Sequence, residues 1–296
     1  MPANPLRHAL VAAAVAASIS ATAHAQPRTP PRPTPAAGAN GPSARAIPLR
    51  DAVQMLRSAN ADEVREGVAA LTRIGSAEVV PPLVELIDGG LEDSLLDYIV
   101  EQLGFVGRPE AIPTLSSMMH HRRAEVRRRA VAALKGIFVR TRDARVPALL
   151  ESGLRDSDAN VRGESASALG EINARGSVAL LQRAFERNVP EASVALGRLG
   201  DFAAAQRLME FIGRMPLSVL IPGFEAFMAR RDLTDDNRHA IVETLVARSP
   251  TRPVKEFLQR WVQGLPPNDR SRARQRAQLA IRQITDDAPA PSGGTR

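Results

Sequence analysis

The sequence contains no cysteine among its 296 residues. That absence excludes disulfide bridges, zinc–thiolate sites, iron–sulfur clusters, thiol nucleophiles and a lipidated cysteine anchor. Aromatic residues make up only 3% of the chain, with Tyr98 and Trp261 each the only residue of its type. The core must therefore be packed from leucine, valine, isoleucine and alanine. The chain also lacks a Gly-x-x-x-x-Gly-Lys phosphate loop, a Gly-x-Ser-x-Gly elbow and a Ser-x-x-Lys pair, so the usual nucleotide-binding and serine-hydrolase signatures are missing.

Lysine is nearly absent as well, because Lys135 and Lys255 are the only two, and the formal net charge of +7 therefore rests on arginine. A basic chain favours polyanions or an anionic membrane surface as partners. A compositional bias that replaces lysine with arginine is the simpler explanation of the high arginine content. Residues 74–107 hold seven acidic residues and no basic one, and residues 120–129 hold five arginines. The acidic neighbour and the scarcity of stacking aromatics argue against nucleic acid, so we expect a solvated helix face at Arg122, Arg123, Arg127, Arg128 and Arg129.

The first 25 residues have the pattern of a secretory signal peptide. Arg7 precedes an apolar run over residues 9–21, and an Ala-His-Ala site predicts cleavage between Ala25 and Gln26. The run is shorter than the roughly 20 residues needed to span a bilayer, so an uncleaved anchor is the weaker alternative. We therefore expect an exported protein, periplasmic or extracellular, with no transmembrane segment in the mature chain.

Residues 26–46 are rich in proline, glycine, alanine and threonine and show no apolar periodicity. Such a segment cannot bury enough surface to offset the entropy of ordering, so we predict a disordered, extended tether. A second small polar tail covers residues 286–296. Between the two tails, residues 47–285 are expected to form one folded domain.

The middle of the chain repeats itself, and the repeat predicts the fold. One leucine series, spaced by 32, 31, 35 and 27 residues, lies near the ends of predicted first helices: Leu71, Leu103, Leu134, Leu169 and Leu196. A second series follows about 12 to 15 residues later, in predicted second helices: Leu83, Leu115, Leu149 and Leu181. The recurrent proline at Pro81, Pro113 and Pro147 suits the first turn of a helix, where a missing N–H costs little. Two series that advance together indicate stacked helix pairs.

Three motifs in these units resemble HEAT-like repeats of the short bacterial, phycobilisome-lyase-like type. They are an acidic residue before Val-Arg (Val64-Arg65, Val126-Arg127 and Val161-Arg162), then A-x-x-L-G-x-[IL]-G, then A-[IV]-P-x-L. The resemblance covers residues 60–212 and implies an all-α fold, an α-solenoid that is an armadillo-type superhelix of antiparallel helix pairs. The second unit lacks the Val-Arg pair and the fifth, from Pro190, is short, so we expect irregularity there.

Beyond residue 213 the motifs fade but helical patterns continue. We predict helices over 217–228, 235–248 with Thr234 as N-cap, 253–262, and 271–284 with Asp269 or Asn268 near the cap. Residues 213–285 are either degenerate repeats or a closing cap, since a solenoid must end on a unit with a polar outer face. At the other end, residues 48–58 offer a single capping helix.

Candidate metal and catalytic motifs do not fit known templates. Asp156 and Asp158 open like a calcium loop, but Val161 stands where the loop needs glycine and Ser167 where it needs glutamate, so helix capping is the preferred interpretation. The adjacent His120 and His121 point about 100° apart on a helix and do not form a metal pair. The family that this chain resembles includes deoxyhypusine hydroxylase, in which His-Glu dipeptides would be the iron ligands. This sequence has no His-Glu dipeptide, so the resemblance does not extend to that activity. We therefore expect no catalytic residue, metal or cofactor.

The resemblance implies that the second helices line the inner, concave face, which binds partners in such arrays. We align the second helices at the leucines of the second series and identify the positions that face outward in each helix. We predict that these positions form a protein-binding stripe: Glu85, Asp88, Ser117, His121, Glu151, Arg155, Arg183 and Glu186. Ordinary solvated helix surface is the alternative, because every soluble helix has a polar side.

The sequence thus predicts an exported, non-catalytic scaffold or adaptor that binds another protein of unknown identity. One alternative is an enzyme, or an enzyme subunit, of the HEAT-like lyase or hydroxylase type. Another is binding of anionic lipid or polysaccharide through the arginine-rich surface, which would depend steeply on salt.

Overall fold

The computed structural model describes residues 46–285, so the predicted signal peptide, the tail and all but Ala46 of the tether lie outside it. Within that range the chain forms fifteen α-helices joined by short turns. They are α1 Leu49–Met55, α2 Ala61–Ile74, α3 Val80–Asp88, α4 Asp93–Val106, α5 Ile112–Met118, α6 Ala124–Thr141, α7 Arg145–Gly153, α8 Ala159–Glu171, α9 Val178–Glu186, α10 Glu191–Leu199, α11 Phe202–Glu210, α12 Leu217–Met228, α13 Asp235–Arg248, α14 Arg252–Gln263 and α15 Arg272–Gln283.

The helices alternate between two layers. The even-numbered helices stack in chain order, each packing on the next from α2 to α14, and each odd-numbered helix from α1 to α13 packs on the even-numbered helix that follows it. At the C-terminal end α11 packs on α13, and α13 packs on α15. The two layers therefore continue through residues 213–285. This is the α-solenoid that the repeat spacing predicts.

Small residues allow the even-numbered helices to touch backbone to backbone. A Cβ atom added at Gly104 in α4 would lie 2.7 Å from the Cα of Ala133 in α6. One added at Gly197 in α10 would lie 2.4 Å from the carbonyl oxygen of Gly223 in α12. Both distances are shorter than any real Cβ contact, so each position requires glycine for this close approach.

Both leucine series contribute to one continuous core, with a single shift in register. All five leucines of the first series are buried, as are Leu83, Leu115 and Leu181 of the second. In α7, however, Leu149 is only half-buried and Leu150 is fully buried. The buried stripe of α7 is Val146, Leu150 and Leu154, at i, i+4 and i+8, whereas α3 buries Val80, Leu83 and Ile87. The register of the third second helix therefore differs by one residue from our prediction.

The arginine of the Val-Arg motif closes the loop between repeats. Arg127 donates from one terminal nitrogen to the carbonyl oxygens of His121 and Arg122, six and five residues earlier. Arg162 does the same with the carbonyl oxygens of Asp156 and Ser157, at 2.9 Å each. The same motif thus makes the same pair of contacts in two successive repeats, where it satisfies carbonyl groups that no helix uses.

The C-terminal helices begin close to where the sequence predicts. Helices α12 and α13 have the predicted bounds, and the Thr234 hydroxyl accepts from the Asn237 amide as the N-cap of α13. The N-cap of α15 is Ser271, whose hydroxyl accepts from the Arg274 amide. Asp269, which was predicted to lie near the cap, accepts from the Ser271 amide and supports the cap.

Within residues 46–285, no helix combines the length and the apolar character that crossing a membrane requires.

Candidate functional site

The predicted stripe lies on the odd-numbered helices α3, α5, α7 and α9 and on the turns after α5 and α7. Six of its residues are exposed: Glu85, Asp88, Ser117, Arg155, Arg183 and Glu186. The other two, His121 and Glu151, are half-buried and have structural partners. The Nδ1 atom of His121 accepts from the Arg123 amide at 3.2 Å, and Oε1 of Glu151 accepts from the Ser177 hydroxyl at 2.6 Å.

The structure brings three of the eight stripe residues together. Glu151, Arg155 and Arg183 line a small cavity of about 50 Å³ between α7 and α9. Because Leu150 is the buried leucine of α7, the exposed residue two places beyond it is Ser152, not Glu151. In α5, the residue five places beyond buried Leu115 is the exposed His120. The stripe therefore stays a prediction, with Ser152 and His120 as the outward positions in place of Glu151 and His121, while Ser117 and Arg155 are exposed as predicted.

Most of the arginines between residues 120 and 129 pair with acidic side chains. Arg123 contacts Asp93 at 3.0 Å and Asp97 at 2.9 Å. Arg128 and Arg129 both contact Glu125, at 2.8 and 2.9 Å. The hydrogen bond from Arg128, together with the charges of Arg128 and Arg129, lowers the pKa of Glu125 despite its partial burial. Arg123 thus pairs with the acidic second unit, whereas Arg128 and Arg129 pair with Glu125 within α6.

The pair Asp156 and Asp158 has the structural role that we preferred over a calcium loop. Asp158 Oδ1 accepts from the amides of Asn160 and Val161 and so caps α8. Asp156 accepts two hydrogen bonds of 2.7 Å from Arg127, and these two side chains are only 11% and 13% exposed. Burial raises the pKa of Asp156, but the hydrogen bonds and charge of Arg127 and the Asp158 amide outweigh it and lower that pKa. Across residues 46–285, no three His, Asp or Glu side chains gather as metal ligands.

A second surface, on the even-numbered helices, was not predicted. Three large apolar side chains are exposed near the C-terminal ends of α2, α4 and α6: Ile74 at 39%, Phe105 at 55% and Val139 at 57%. Beside Phe105 a cavity of about 290 Å³ lies between α4 and α6. Small residues, including Gly104, Ala132 and Gly136, form part of its lining, and Glu101, Arg128 and Arg129 complete it.

Phe105 also lines a second cavity, of about 620 Å³, at the C-terminal ends of α2, α4 and α6. We call the two cavities joined by Phe105 the Phe105 groove. Besides Phe105, the second cavity is lined by Thr72, Arg73, Gly75, Val106, Gly107, Arg108, Arg140 and Thr141. This half of the groove therefore has three arginines and no acidic residue in its lining.

Among residues 46–285, the hydrogen bonds of Arg73 and Arg108 go to backbone carbonyl groups, and Arg140 lies against a glycine. Arg108 donates from Nε to the carbonyl oxygen of Gly75 at 2.7 Å, and Arg73 donates from Nε to that of Ala69 at 3.3 Å. The side chain of Arg140 lies against Gly107, where an added Cβ would be 2.2 Å from its Cδ. Among residues 46–285, no carboxylate lies within ion-pair distance of any of the three guanidinium groups. They contrast with the paired arginines of the same helix layer.

One sequence signal could have identified this groove. In α4 the positions Asp97, Glu101 and Phe105 follow one another at i, i+4 and i+8, so an aromatic residue ends an otherwise acidic stripe. Phe105 also follows Gly104 directly, within the motif that ends the helix. An aromatic residue on a polar face is a better indication of binding than of core packing.

The chain matches one protein family in sequence and several solved structures in fold. HEAT repeats match residues 49–135, 91–170 and 119–193, whereas no curated protein sequence matches the chain. A structure of the CpcE–CpcF complex of phycocyanin lyase from Nostoc sp. PCC7120 is 17% identical, covering 86% of this chain and 99% of that one, with a TM-score of 0.42. Human deoxyhypusine hydroxylase in complex with glycerol is 18% identical, covering 80% and 95%, with a TM-score of 0.39. A designed armadillo repeat protein in complex with the peptide (KR)4 is 17% identical, covering 80% and 99%, with a TM-score of 0.35.

Proposed function

Because the chain belongs to the family of HEAT-repeat proteins, we propose that it is a non-catalytic scaffold that binds another protein through the Phe105 groove. The observation that carries this proposal is the exposure of Phe105 and Val139 on the even-numbered helices. Apolar side chains of a repeat unit normally bury themselves against the neighbouring unit. Phe105 is left at the surface beside two cavities, and Val139 is exposed near the end of the neighbouring helix α6. An exposed apolar side chain beside a cavity is typical of a binding site.

The packing of the two layers also favours the even-numbered side. The even-numbered helices touch backbone to backbone, whereas the odd-numbered helices from α3 to α9 approach one another less closely. In a curved two-layer array, the more tightly packed layer is the shorter one. We infer that the even-numbered helices form the inner side, the side on which repeat proteins bind their partners.

The predicted stripe on the odd-numbered helices is the competing surface for the same function. Its residues are charged or polar, and Glu151 already has a hydrogen-bond partner in Ser177. Interface centres are depleted of charged residues and enriched in aromatic ones, so the Phe105 groove is the better candidate. The stripe provides the comparison surface in the experiment below.

Two further parts of the proposal depend on sequence and on local chemistry. Export is supported by the signal-peptide pattern of residues 1–25. The absence of catalysis is supported by how three of the six acidic groups of residues 46–285 with lowered pKa values are used. Asp156 is held by Arg127, Glu125 by Arg128 and Glu243 by Arg276. Structural ion pairs of this kind fix carboxylates in their charged form, and none of these three lines the Phe105 groove.

In-cell crosslinking tests the proposal with two matched variants. The tagged protein is crosslinked in intact cells and its partners are identified, beside Phe105→Ser/Val139→Ser and Glu85→Ala/Glu151→Ala/Arg183→Ala. We expect one dominant protein captured by wild type and by the stripe variant, and lost from the groove variant. Loss from the stripe variant alone would move the site to the odd-numbered helices. Failure of wild type to capture any specific protein would contradict the scaffold function.

A further inference from the structure

We propose that the occupant of the Phe105 groove is an extended, acidic segment of the partner protein with an apolar side chain seated against Phe105. This inference rests on the proposed function and adds the chemistry of the ligand. It follows from three properties of the groove: an uncompensated positive half, a fixed presentation of two guanidinium groups, and an exposed aromatic ring where the two halves meet.

The positive half has charge without counter-charge. Several arginines elsewhere in the even-numbered layer pair with acids, as Arg127 does with Asp156 and Arg129 with Glu101 and Glu125. Arg73, Arg108 and Arg140 line one cavity, and no carboxylate of residues 46–285 is within ion-pair distance of them. Three like charges at one site repel one another, so a ligand that supplies carboxylates relieves that repulsion.

Two of these arginines are held in place by the ends of neighbouring helices. Arg108 donates to the carbonyl oxygen of Gly75, the C-cap of α2, and Arg140 lies against Gly107, the C-cap of α4. Both glycines have positive φ angles, 63° and 66°. The C-terminal end of a helix carries partial negative charge, which favours a guanidinium there. The terminal nitrogens of Arg108 have no partner among residues 46–285, so they are available for bidentate contact with a carboxylate.

The apolar half selects against a uniform polyanion. Phe105 is 55% exposed and adjoins the cavity of about 290 Å³ between α4 and α6. A phosphate or sulfated polymer has no apolar group to place there. An acidic peptide with one apolar residue matches both halves, because carboxylates reach the arginines while the apolar side chain covers the ring.

Binding of short labelled peptides to the purified protein tests this inference. The probes are a peptide of glutamate and aspartate with leucine at its centre, the same peptide with serine for leucine, and a lysine counterpart. Inorganic polyphosphate and vesicles containing an anionic lipid serve as competitors. The variants are Arg73→Glu/Arg140→Glu, the neutral Arg73→Gln/Arg140→Gln, Phe105→Ser, and Arg183→Glu as a matched arginine on the odd-numbered side. Circular dichroism checks that each variant is folded.

We expect the acidic leucine peptide to bind, and the double charge reversal to weaken it by at least about tenfold. The neutral double variant should give an intermediate loss, and Arg183→Glu should change affinity less than about twofold. Phe105→Ser should weaken the leucine peptide towards the affinity of the serine peptide. Equal binding of the leucine and serine peptides would overturn the role of Phe105.

Tighter binding of polyphosphate or vesicles than of the peptide, with the same dependence on Arg73 and Arg140, would replace the inference by a polyanion site. Failure of every acidic probe would overturn the inference as well. Neither outcome touches the proposed function if in-cell crosslinking still captures one protein in a Phe105-dependent way, so the two failures are distinguishable.

Discussion

Gly197→Ala is expected to destabilise the protein, although alanine is the better helix former. In a helix interior, replacement of glycine by alanine contributes about 1 kcal/mol of stability. At Gly197, however, the new Cβ would lie 2.4 Å from the Gly223 carbonyl oxygen and 2.5 Å from the Ala226 Cβ. Both atoms belong to the framework of α12 and cannot rotate away. Helices α10 and α12 must therefore separate, and overpacking of this kind costs about 1–3 kcal/mol or more.

The two effects oppose each other, so we expect a net loss of about 1–2 kcal/mol in the free energy of unfolding. Gly176→Ala is the matched control, because nothing lies within 4 Å of its added Cβ. There the reduced entropy of the unfolded chain should leave stability unchanged or raise it by up to about 1 kcal/mol.

Urea unfolding followed by circular dichroism measures both variants against wild type. In a repeat array, stability depends on nearest-neighbour interfaces, so a weakened α10–α12 interface should also broaden the transition or split it. The predicted result is a lower midpoint for Gly197→Ala and an unchanged or higher midpoint for Gly176→Ala. If Gly197→Ala unfolds at or above the wild-type midpoint, the even-numbered helices do not touch backbone to backbone.

Three further predictions test the packing and the groove. Asp156→Ala should cost about 2–3 kcal/mol of unfolding free energy, because it leaves the mostly buried Arg127 without its carboxylate partner. Glu256→Ala, in the exposed pair of Arg252 and Glu256 within α14, should cost about 0.5 kcal/mol or less. The pKa of Asp156 is lowered below its ordinary value of 3.8 in the folded state, so the stability that the charged carboxylate contributes is complete above pH 3.8 and is lost as pH falls further. The difference in thermal midpoint between wild type and Asp156→Ala should therefore become smaller in acid. A difference that stays constant with pH would contradict the pairing. Leu150→Ala should cost about 2–5 kcal/mol and Leu149→Ala clearly less in urea titrations, and the reverse order would restore the register predicted from sequence. Phe105→Ser should change stability by about 0.5 kcal/mol or less, and a larger loss would show that Phe105 belongs to the core.

The fold could be predicted because its determinants are repeated in the sequence. Two leucine series at a common spacing, with proline in the first turn of the second helices, define helix pairs without knowledge of any contact. The C-terminal helices were predicted from caps such as Thr234 and from helical periodicity, although their repeat motifs have faded. Their membership of the two layers required the structure, because packing between degenerate units leaves no regular motif.

The register of α7 and the groove illustrate what sequence alone does not determine. Leu149 and Leu150 are adjacent apolar residues, and a shift of one residue at the helix start decides which of them faces the core. The shape of the groove depends on how closely α4 approaches α6. Its charge depends on which arginines form ion pairs with acidic residues about 30 positions away in the sequence. Arg127 forms an ion pair with Asp156, whereas Arg73, Arg108 and Arg140 form no ion pair with a carboxylate among residues 46–285. Pairings between repeats of this kind depend on three-dimensional position.

Site-specific photocrosslinking tests whether a partner protein binds on the even-numbered side. A photoreactive phenylalanine derivative is placed at Phe105 in one variant and at Ser117, on α5 of the odd-numbered side, in another, and both are irradiated in intact cells. We predict a covalent adduct with one protein from position 105 and no such adduct from position 117. An adduct from position 117 alone would contradict it and place the partner on the odd-numbered helices.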